Sequence, residues 1–172
     1  RENWRDIGKD KSLTRQEHRD TQNQQEEEFN QYFTNYYIQK AIKQIKKIHF
    51  STEVPDSNYK YEPADQVHHI FPKSEYPQFA AYLENLILLT ATQHLSIAHP
   101  NNNTHIIDQD FQCLCLVCKA ESIDKSINKL KQNYYSKELF LEVVNTGLSI
   151  SLPLDLPFST IKEEIVKVYN QF

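Results

Sequence analysis

The hydrophobic pattern of the first third of the chain predicts one long helix and then a break. From about Glu27 apolar residues recur every three to four positions, which is the period of one helix face. These positions are Phe29, Phe33, Tyr36, Tyr37, Ile38, Ile42, Ile45 and Ile48. Residues 1–26 are polar and predict a loosely attached arm or a surface helix, and Pro55 marks the break.

Short apolar runs follow Pro63 and predict a compact strand, loop, strand and helix. Residues 66–71 predict a strand that Pro72 stops, and residues 85–89 predict a second, buried strand. Thr90 and Gln93 have the spacing of a capping box, which predicts a helix start. This helix should end by His99, because the residue before a proline avoids helical geometry.

The remainder of the chain is predicted to be mostly helical. Apolar residues between Asp110 and Asn133 favour one long helix or two, with an alternating strand over residues 111–117 as the competing interpretation. A helix over residues 136–145 is expected to be closed by Gly147. After an extended segment, residues 148–157, a last helix should begin near Thr160, whose capping-box partner is Glu163.

Composition and charge narrow the class of protein only a little. Apolar residues are 39% and charged residues 24% of the chain, as in globular proteins, and no apolar run is long enough to span a bilayer. The net charge of −4 neither supports nor excludes a nucleic-acid partner, because the basic residues are clustered locally. The chain starts at Arg1 and has no methionine, so we interpret it as a piece of a longer protein with an upstream domain.

Three closely spaced cysteines point to a reducing compartment. Cys113, Cys115 and Cys118 are an odd-numbered, bunched set, which argues against a disulfide framework and indicates a cytoplasmic protein. No fourth zinc ligand is evident near them, so we expect them to pack in the core as small apolar side chains.

The histidines of the strand–helix unit carry the candidate chemistry. His68 and His69 are adjacent on a strand and therefore point to opposite faces, while His94 on the first turn of the helix can face His68. Two imidazoles with open coordination positions suit a divalent metal ion that also binds a phosphate oxygen. His69 can then take a proton from water at neutral pH, and Asn85 can hold the intervening loop through its amide.

A His-His doublet, an Asn that begins the next strand and a His nine residues later resemble the HNH family of ββα-metal nucleases, over about residues 64–100. The resemblance implies that His68 and His94 are metal ligands, that His69 is the general base and that Asn85 orients the loop. The family's third His commonly lies four residues after the helical ligand, where this chain has Ala98. His99 comes one residue later, rotated by about 100° on an ideal helix, and is a candidate third ligand that distortion before Pro100 would have to bring in.

The resemblance implies an α+β fold in which a ββα-metal nuclease core is embedded in a mostly helical domain. We expect an N-terminal arm and helix over residues 1–60, the HNH core over 61–104 and a helical C-terminal part of the same domain over 105–172. The implied function is a metal-dependent, site-specific endonuclease for double-stranded DNA. The stretch from Gln93 to Thr104 resembles type II restriction enzymes of this family, which act in bacterial defence.

Cofactor and partners follow from the implied chemistry. Mg²⁺ is the first expectation, with Mn²⁺, Ni²⁺ or Zn²⁺ as alternatives, and a third His would favour Zn²⁺ or Ni²⁺. Palindromic DNA targets would require a twofold homodimer, and no membrane partner is expected. Residues proposed to read base edges are Gln109, Gln112, Asn128, Asn133 and the run Asn101–Asn103.

Two other functions compete with a restriction enzyme. One is an HNH defence or toxin effector nuclease of low sequence specificity, whose target choice lies in an upstream domain. The other is a metal-stabilised binding module without catalytic activity. His18, His49 and His105 are interpreted as structural, and Tyr32, Tyr36 and Tyr37 as core residues, not as a surface for stacking bases.

Overall fold

The computed structural model describes residues 14–103 and 107–171, and its architecture is α+β. Four longer helices are present in these ranges: α1 (Arg15–Ile48), α2 (Gln109–Asp124), α3 (Lys137–Leu148) and α4 (Phe158–Tyr169). Two strands, β1 (Ala64–His69) and β2 (Leu86–Thr90), form a small antiparallel sheet. The expected combination of a small sheet with predominantly helical structure is confirmed.

The chain divides into two compact units between Tyr37 and Ile38. The described residues of the first unit, 14–37, are the first part of α1. Tyr32, Tyr36 and Tyr37 are 54–68% exposed there, so their interpretation as core residues is wrong. The second unit begins within the same helix and contains both strands and helices α2, α3 and α4. The N-terminal arm before residue 14 and His105 lie outside the described residues.

Helix α1 begins earlier than its apolar pattern indicates. Thr14 Oγ1 accepts a hydrogen bond from Glu17 N (3.2 Å), and Glu17 Oε2 accepts one from Thr14 N (2.6 Å). This reciprocal capping box satisfies two backbone donors and starts the helix at Arg15. Of the two interpretations of the polar segment, residues 15–26 therefore follow the helical one.

The sheet pairs His68 with Ile87 and His69 with Leu86. Every residue of β2 is buried, as its continuous apolar sequence predicts, whereas β1 is only partly covered. The strand predicted over residues 66–71 begins and ends two residues earlier in the structure, at Ala64 and His69. Ile70, the residue after β1, still donates from its backbone N to Asn85 O (2.9 Å). The prediction of β2 is one residue early, because Asn85 belongs to the turn before it.

Residues 111–117 are helical, so the alternating-strand interpretation is wrong. Asp108 caps α2 by accepting a hydrogen bond from Phe111 N (2.8 Å), and a π-helical turn, Lys125–Lys129, continues it. The three cysteines lie on α2 as free thiols, with Cys115 and Cys118 buried in the core and Cys113 partly buried. Their expected role as core residues is confirmed.

Two predictions about the last two helices are wrong, one on the end of α3 and one on the start of α4. Gly147 does not close α3: the helix continues to Leu148, and Ser149 adopts the left-handed conformation (φ 56°). Gly147 is needed because a Cβ there would overlap the Phe71 ring. Helix α4 starts at Phe158 after Pro157, so Thr160 and Glu163 do not form its capping box.

A buried ion pair joins α2 to the segment that precedes β1. Lys119, which is 0% exposed, donates to Glu53 Oε1 (2.7 Å) and to the Tyr135 hydroxyl (3.1 Å). Glu53 Oε2 accepts from Leu88 N (2.7 Å) in β2. Burial lowers the pKa of Lys119, and the charge of Glu53 opposes that shift. His49, which contacts the Tyr135 hydroxyl at 2.6 Å, is structural as expected.

We expect Glu53→Gln to lower the free energy of unfolding by about 3–5 kcal/mol, because it leaves the Lys119 charge buried without its partner. Chemical denaturation measures the loss, and the double variant Glu53→Gln/Lys119→Met should recover most of it. Glu121→Gln is the matched control, since it breaks a more exposed pair with Lys162 (3.3 Å) and should cost less than about 1 kcal/mol. Equal losses for Glu53→Gln and Glu121→Gln would contradict the interpretation.

Candidate metal and catalytic site

Three histidines converge at the junction of the sheet and the helical turn that follows it. His68, His94 and His99 each offer one ring nitrogen, and these three nitrogens lie within 4.8 Å of one another. The ring centroids are 5.3 Å apart for His68 and His94, 5.1 Å for His68 and His99, and 5.3 Å for His94 and His99. The arrangement could therefore hold a metal ion.

His68 reaches the cluster from β1. It is 4% exposed and lies opposite Ile87 of the buried strand β2. Because side chains alternate along a strand, His69 projects from the other face of the sheet, where its Nε2 lies 2.9 Å from the Ala80 carbonyl. The structure thus separates the two members of the doublet, as the sequence predicts.

His94 and His99 come from the short helix Gln93–Ala98, which we call the site helix. It is a π-helix, in which hydrogen bonds join residues five apart instead of four. His99 follows His94 by five residues, so the wider turn compensates for the rotation that an α-helix would impose. His99 itself, before Pro100, has non-helical geometry (φ −123°, ψ 89°).

Gln93 anchors the start of the site helix, and sequence reasoning recognised only part of its role. Gln93 N donates to Thr90 Oγ1 (3.2 Å) and Gln93 Oε1 accepts from Thr90 N (3.1 Å), which is the predicted capping box. The same side chain also accepts from Thr52 Oγ1 (2.6 Å) and donates to Val54 O (2.8 Å). Gln93 is 1% exposed, so these bonds rigidly position the residue next to His94.

The cluster is electrostatically suited to a cation only when its rings are neutral. Burial, and then the neighbouring His94 and His99, lower the pKa of His68 to about 3. Burial likewise lowers the pKa of His94, with further contributions from His99 and His69. At neutral pH His68 and His94 therefore keep free lone pairs, the form of imidazole that binds metals.

An unsatisfied buried atom gives an independent test of whether a metal fits. His94 Nδ1 is buried and has no hydrogen-bond partner in the described structure. Leaving a buried polar atom unpaired costs about 1–3 kcal/mol, and a bound ligand would relieve that cost. Together with the three convergent ring nitrogens, this atom indicates that the residues present fit a divalent metal ion.

His69 is held in one tautomer by the loop between the strands. Because the Ala80 carbonyl can only accept, Nε2 must carry the proton, and Nδ1 then carries the lone pair. Burial lowers the pKa of His69, the bond to Ala80 opposes this, and the charge of Lys73 adds to it. The His69 ring is therefore neutral at neutral pH and held in one orientation.

Asn85 fastens both ends of this loop. It is 0% exposed; its Oδ1 accepts from Phe71 N (2.9 Å) and its Nδ2 donates to Phe71 O (3.0 Å). Nδ2 also lies 3.5 Å from Phe79 O, next to the Ala80 carbonyl that holds His69. Asn85 thus ties the two ends of the loop together, and its implied role in orienting His69 stays a prediction.

Gln112, one of the residues expected to contact base edges, forms hydrogen bonds within the protein instead. Gln112 donates to Ile70 O (2.9 Å) and accepts from the Tyr169 hydroxyl (2.7 Å), so its amide is engaged in packing α4 and α2 onto the end of β1. Gln109, Asn101 and Asn103 are exposed after the site helix, and Asn128 and Asn133 are exposed farther along the chain. Nothing in the sequence distinguished Gln112 from these.

Comparison of the chain with protein-family profiles, with curated proteins and with solved structures finds no match. Among the helices of the described ranges, none is both long and apolar enough to cross a membrane.

We expect the protein to bind one Zn²⁺ or Ni²⁺ ion per chain, and His68→Ala, His94→Ala and His99→Ala each to weaken binding by more than about tenfold. Each substitution removes one of the three converging nitrogens. Isothermal titration calorimetry measures the affinity, and the absorption spectrum of the Co²⁺ form reports ligand number.

Leu95→Ala is the control for these variants, because Leu95 lies beside His94 on the site helix but is 45% exposed. It should bind metal as the unaltered protein does. Histidine variants that bind as tightly as Leu95→Ala would exclude the cluster as the metal site.

A second expectation concerns Asn85→Ala, which should lower the free energy of unfolding by about 2–4 kcal/mol because it leaves Phe71 N and O unpaired in the core. It should also release His69 from Ala80, which ¹⁵N NMR detects as mixing of the two imidazole tautomers. Asn145→Ala is matched, since Asn145 makes the same pair of bonds to Leu152 (2.8 and 3.1 Å). A stability loss in both variants with an unchanged His69 tautomer would show that Asn85 does not position His69.

Proposed function

We propose that this protein is a metal-dependent endonuclease that hydrolyses phosphodiester bonds of double-stranded DNA. The observation that carries the proposal is the pairing of two different histidine environments: a cluster of three converging rings and, one residue along β1, a separate ring fastened to a backbone carbonyl. A nuclease of the HNH type needs this division, because one group of residues must hold a cation while another accepts a proton.

The number of converging side chains favours a catalytic metal over a purely structural one. Structural zinc sites are closed by four protein ligands, whereas catalytic sites have three and leave a position for water or substrate. Among the described residues the cluster has three members, His68, His94 and His99. Three imidazoles also favour Zn²⁺ or Ni²⁺ over the Mg²⁺ expected from two, since Mg²⁺ prefers oxygen donors.

His69 supplies the base. Its Nδ1 lone pair takes a proton from a water molecule whose oxygen attacks the phosphorus atom, and the bond to the 3′ oxygen breaks. A proton from solvent completes the leaving hydroxyl, so that the products are a 5′-phosphate and a 3′-hydroxyl. Bound by the cluster, a divalent ion would supply Lewis-acid stabilisation of the negative charge that develops during this reaction.

Residues near the site offer contacts to DNA. Lys73 is exposed, four residues after His69, and its charge acts on the His69 ring, which suits a contact to the phosphate backbone. The exposed amides of Asn101, Asn103 and Gln109 follow the site helix and can donate to base edges. This placement favours the site-specific, restriction-type enzyme, and a low-specificity effector nuclease is the alternative.

We expect His69→Ala to lower metal-dependent DNA cleavage by about 10²–10⁴-fold, because it removes the general base, while metal affinity stays within about threefold of the unaltered protein. Cleavage of plasmid DNA with Mg²⁺, Mn²⁺, Ni²⁺ or Zn²⁺ measures the first quantity and calorimetry the second. His18→Ala, which makes the same chemical change in α1, should leave both unchanged.

The outcomes separate the competing functions. Discrete fragments from a plasmid support a site-specific enzyme, and a smear supports the effector nuclease. Cleavage by His69→Ala at the normal rate would make the base assignment wrong. A protein that binds metal at the cluster and cuts no DNA with any of the four ions would be a binding module, and the proposed activity would be wrong.

A further inference from the structure

The start of the site helix is held by a segment that is distant from it in sequence. Residues 51–62 lie between α1 and β1, and we call them the support loop. Thr52 Oγ1 donates a hydrogen bond to Gln93 Oε1 (2.6 Å). Glu62 Oε1 accepts hydrogen bonds from Thr92 N (2.9 Å) and Thr92 Oγ1 (3.0 Å). The support loop, which belongs to the second unit like the site helix, therefore contacts the two residues before the first histidine of that helix.

The backbone of the support loop is itself fixed beside Thr52. Glu53 N donates to Leu88 O (2.9 Å), and Glu53 Oε2 accepts from Leu88 N (2.7 Å). The other carboxylate oxygen of Glu53 forms the buried ion pair with Lys119. These bonds attach the loop to β2 and α2, so the Thr52 hydroxyl is presented from a backbone that is held in place. The bond from Thr52 to Gln93 thus links the core to the site helix.

The Thr52 hydroxyl restrains the Gln93 amide but is not the only partner of its oxygen. Gln93 Oε1 also accepts from Thr90 N (3.1 Å), and Gln93 Nε2 donates to Val54 O (2.8 Å). Gln93 is 1% exposed. If the Thr52 hydroxyl were removed, Oε1 would keep one donor and would not become a buried unpaired atom. The site helix would lose a restraint on its orientation, and the loss of stability would be that of one ordinary hydrogen bond.

The position of the His94 ring depends on the backbone that carries it. His94 Nδ1 has no hydrogen-bond partner in the described structure, so that atom does not anchor the ring. The histidines of the cluster come from two elements, with His68 on β1, His94 on the site helix and His99 directly after it. Their ring nitrogens lie within 4.8 Å of one another, and this separation depends on the placement of the site helix relative to the sheet. Bonds that fix the start of the helix therefore fix the geometry offered to a metal ion.

We propose that Thr52 is a positioning residue for the metal site, which acts through Gln93 on the placement of His94. The inference rests on the metal site of the proposed function and not on DNA cleavage. Residues that orient metal ligands from outside the coordination sphere typically change metal affinity by about 10–100-fold when they are substituted. Glu62 has the same role to a smaller extent, because Thr92 is exposed and water can replace the carboxylate.

Substitution of Thr52 by valine tests the proposal, because it replaces the hydroxyl by a methyl group of similar size. We expect Thr52→Val to weaken Zn²⁺ and Ni²⁺ binding by about tenfold in isothermal titration calorimetry and to change the absorption spectrum of the Co²⁺ form. Thr52→Ser keeps the hydroxyl and should bind metal within about twofold of the unaltered protein. Glu62→Ala should weaken binding by about threefold, and Glu62→Gln, which keeps an acceptor oxygen, should restore it. Full affinity in Glu62→Ala would overturn the smaller role of Glu62.

Ser126→Ala is the matched control for Thr52→Val. Ser126 is 4% exposed, and its Oγ donates to Gln132 Oε1 (3.1 Å), which is the same type of bond in another part of the second unit. Both variants should lower the free energy of unfolding by a similar amount in chemical denaturation, but Ser126→Ala should leave metal affinity unchanged. Equal losses of metal affinity in the two variants would show a general loosening of the fold and overturn the proposal. Unchanged affinity in Thr52→Val would overturn it as well.

These measurements separate the role of Thr52 from the proposed nuclease activity. A chain that binds metal in a Thr52-dependent manner but cuts no DNA would support the role of Thr52 and overturn the activity. A chain that cuts DNA and keeps full metal affinity in Thr52→Val would support the activity and overturn the role of Thr52. Absence of metal binding in the unaltered protein would overturn both the role of Thr52 and the metal site.

Discussion

The candidate site depends on the antiparallel register of β1 and β2. His68 lies opposite Ile87, and three hydrogen bonds between Asn85 and residues 70–71 hold that pairing at the end of the sheet. A slip of one residue would turn every side chain of β1 to the other face, which would send His69 into the histidine cluster and His68 toward Ala80. The complete burial of β2 makes such a slip costly, because its apolar residues could not all remain covered. The register thus decides which histidine joins the cluster and which contacts the Ala80 carbonyl.

Local signals were sufficient to predict the elements that carry the site. Pro72, the apolar run before Thr90 and the Thr90–Gln93 capping box predicted two strands and a short helix, and His68 and His94 do converge. The position of His99 was harder to predict. The π-helical turn that places His99 in the cluster depends on backbone hydrogen bonding that no side-chain pattern indicates. Contacts between residues distant in sequence could not be predicted. Lysine side chains on helices are usually exposed, and only the folded chain shows that Lys119 forms an ion pair with Glu53. Gly147 was misjudged for the same reason, since its neighbour Phe71 is far away along the chain.

The buried ion pair and the histidine cluster lie in different parts of the second unit. The buried Glu53–Lys119 pair ties α2 to β2 through Leu88, on the strand that holds the histidine-bearing β1 in place. The cluster itself opposes stability. At acidic pH, where the histidines of the unfolded chain are protonated, the lowered pKa values of His68 and His94 favour unfolding, and His94 Nδ1 is buried without a hydrogen-bond partner in the described structure. A site that costs free energy when empty can regain it on binding a ligand that interacts only with the folded state. The rigid surroundings of Gln93 and Asn85 therefore keep in place an arrangement that the histidines would not maintain by their own interactions.

The different environments of His68 and His69 favour the proposed catalytic function over a purely structural metal site. A metal that only stabilised the fold would need the cluster but would have no use for a second histidine with a defined tautomer on the opposite face of the same strand. Here His69 is oriented by Ala80, and Ala80 is in turn held by the loop that Asn85 fastens. This ordered chain of contacts costs conformational freedom in the loop, and positioned donors and acceptors of this kind are what proton transfer requires. The proposed nuclease explains both histidine environments with one reaction, whereas a binding module explains only the cluster.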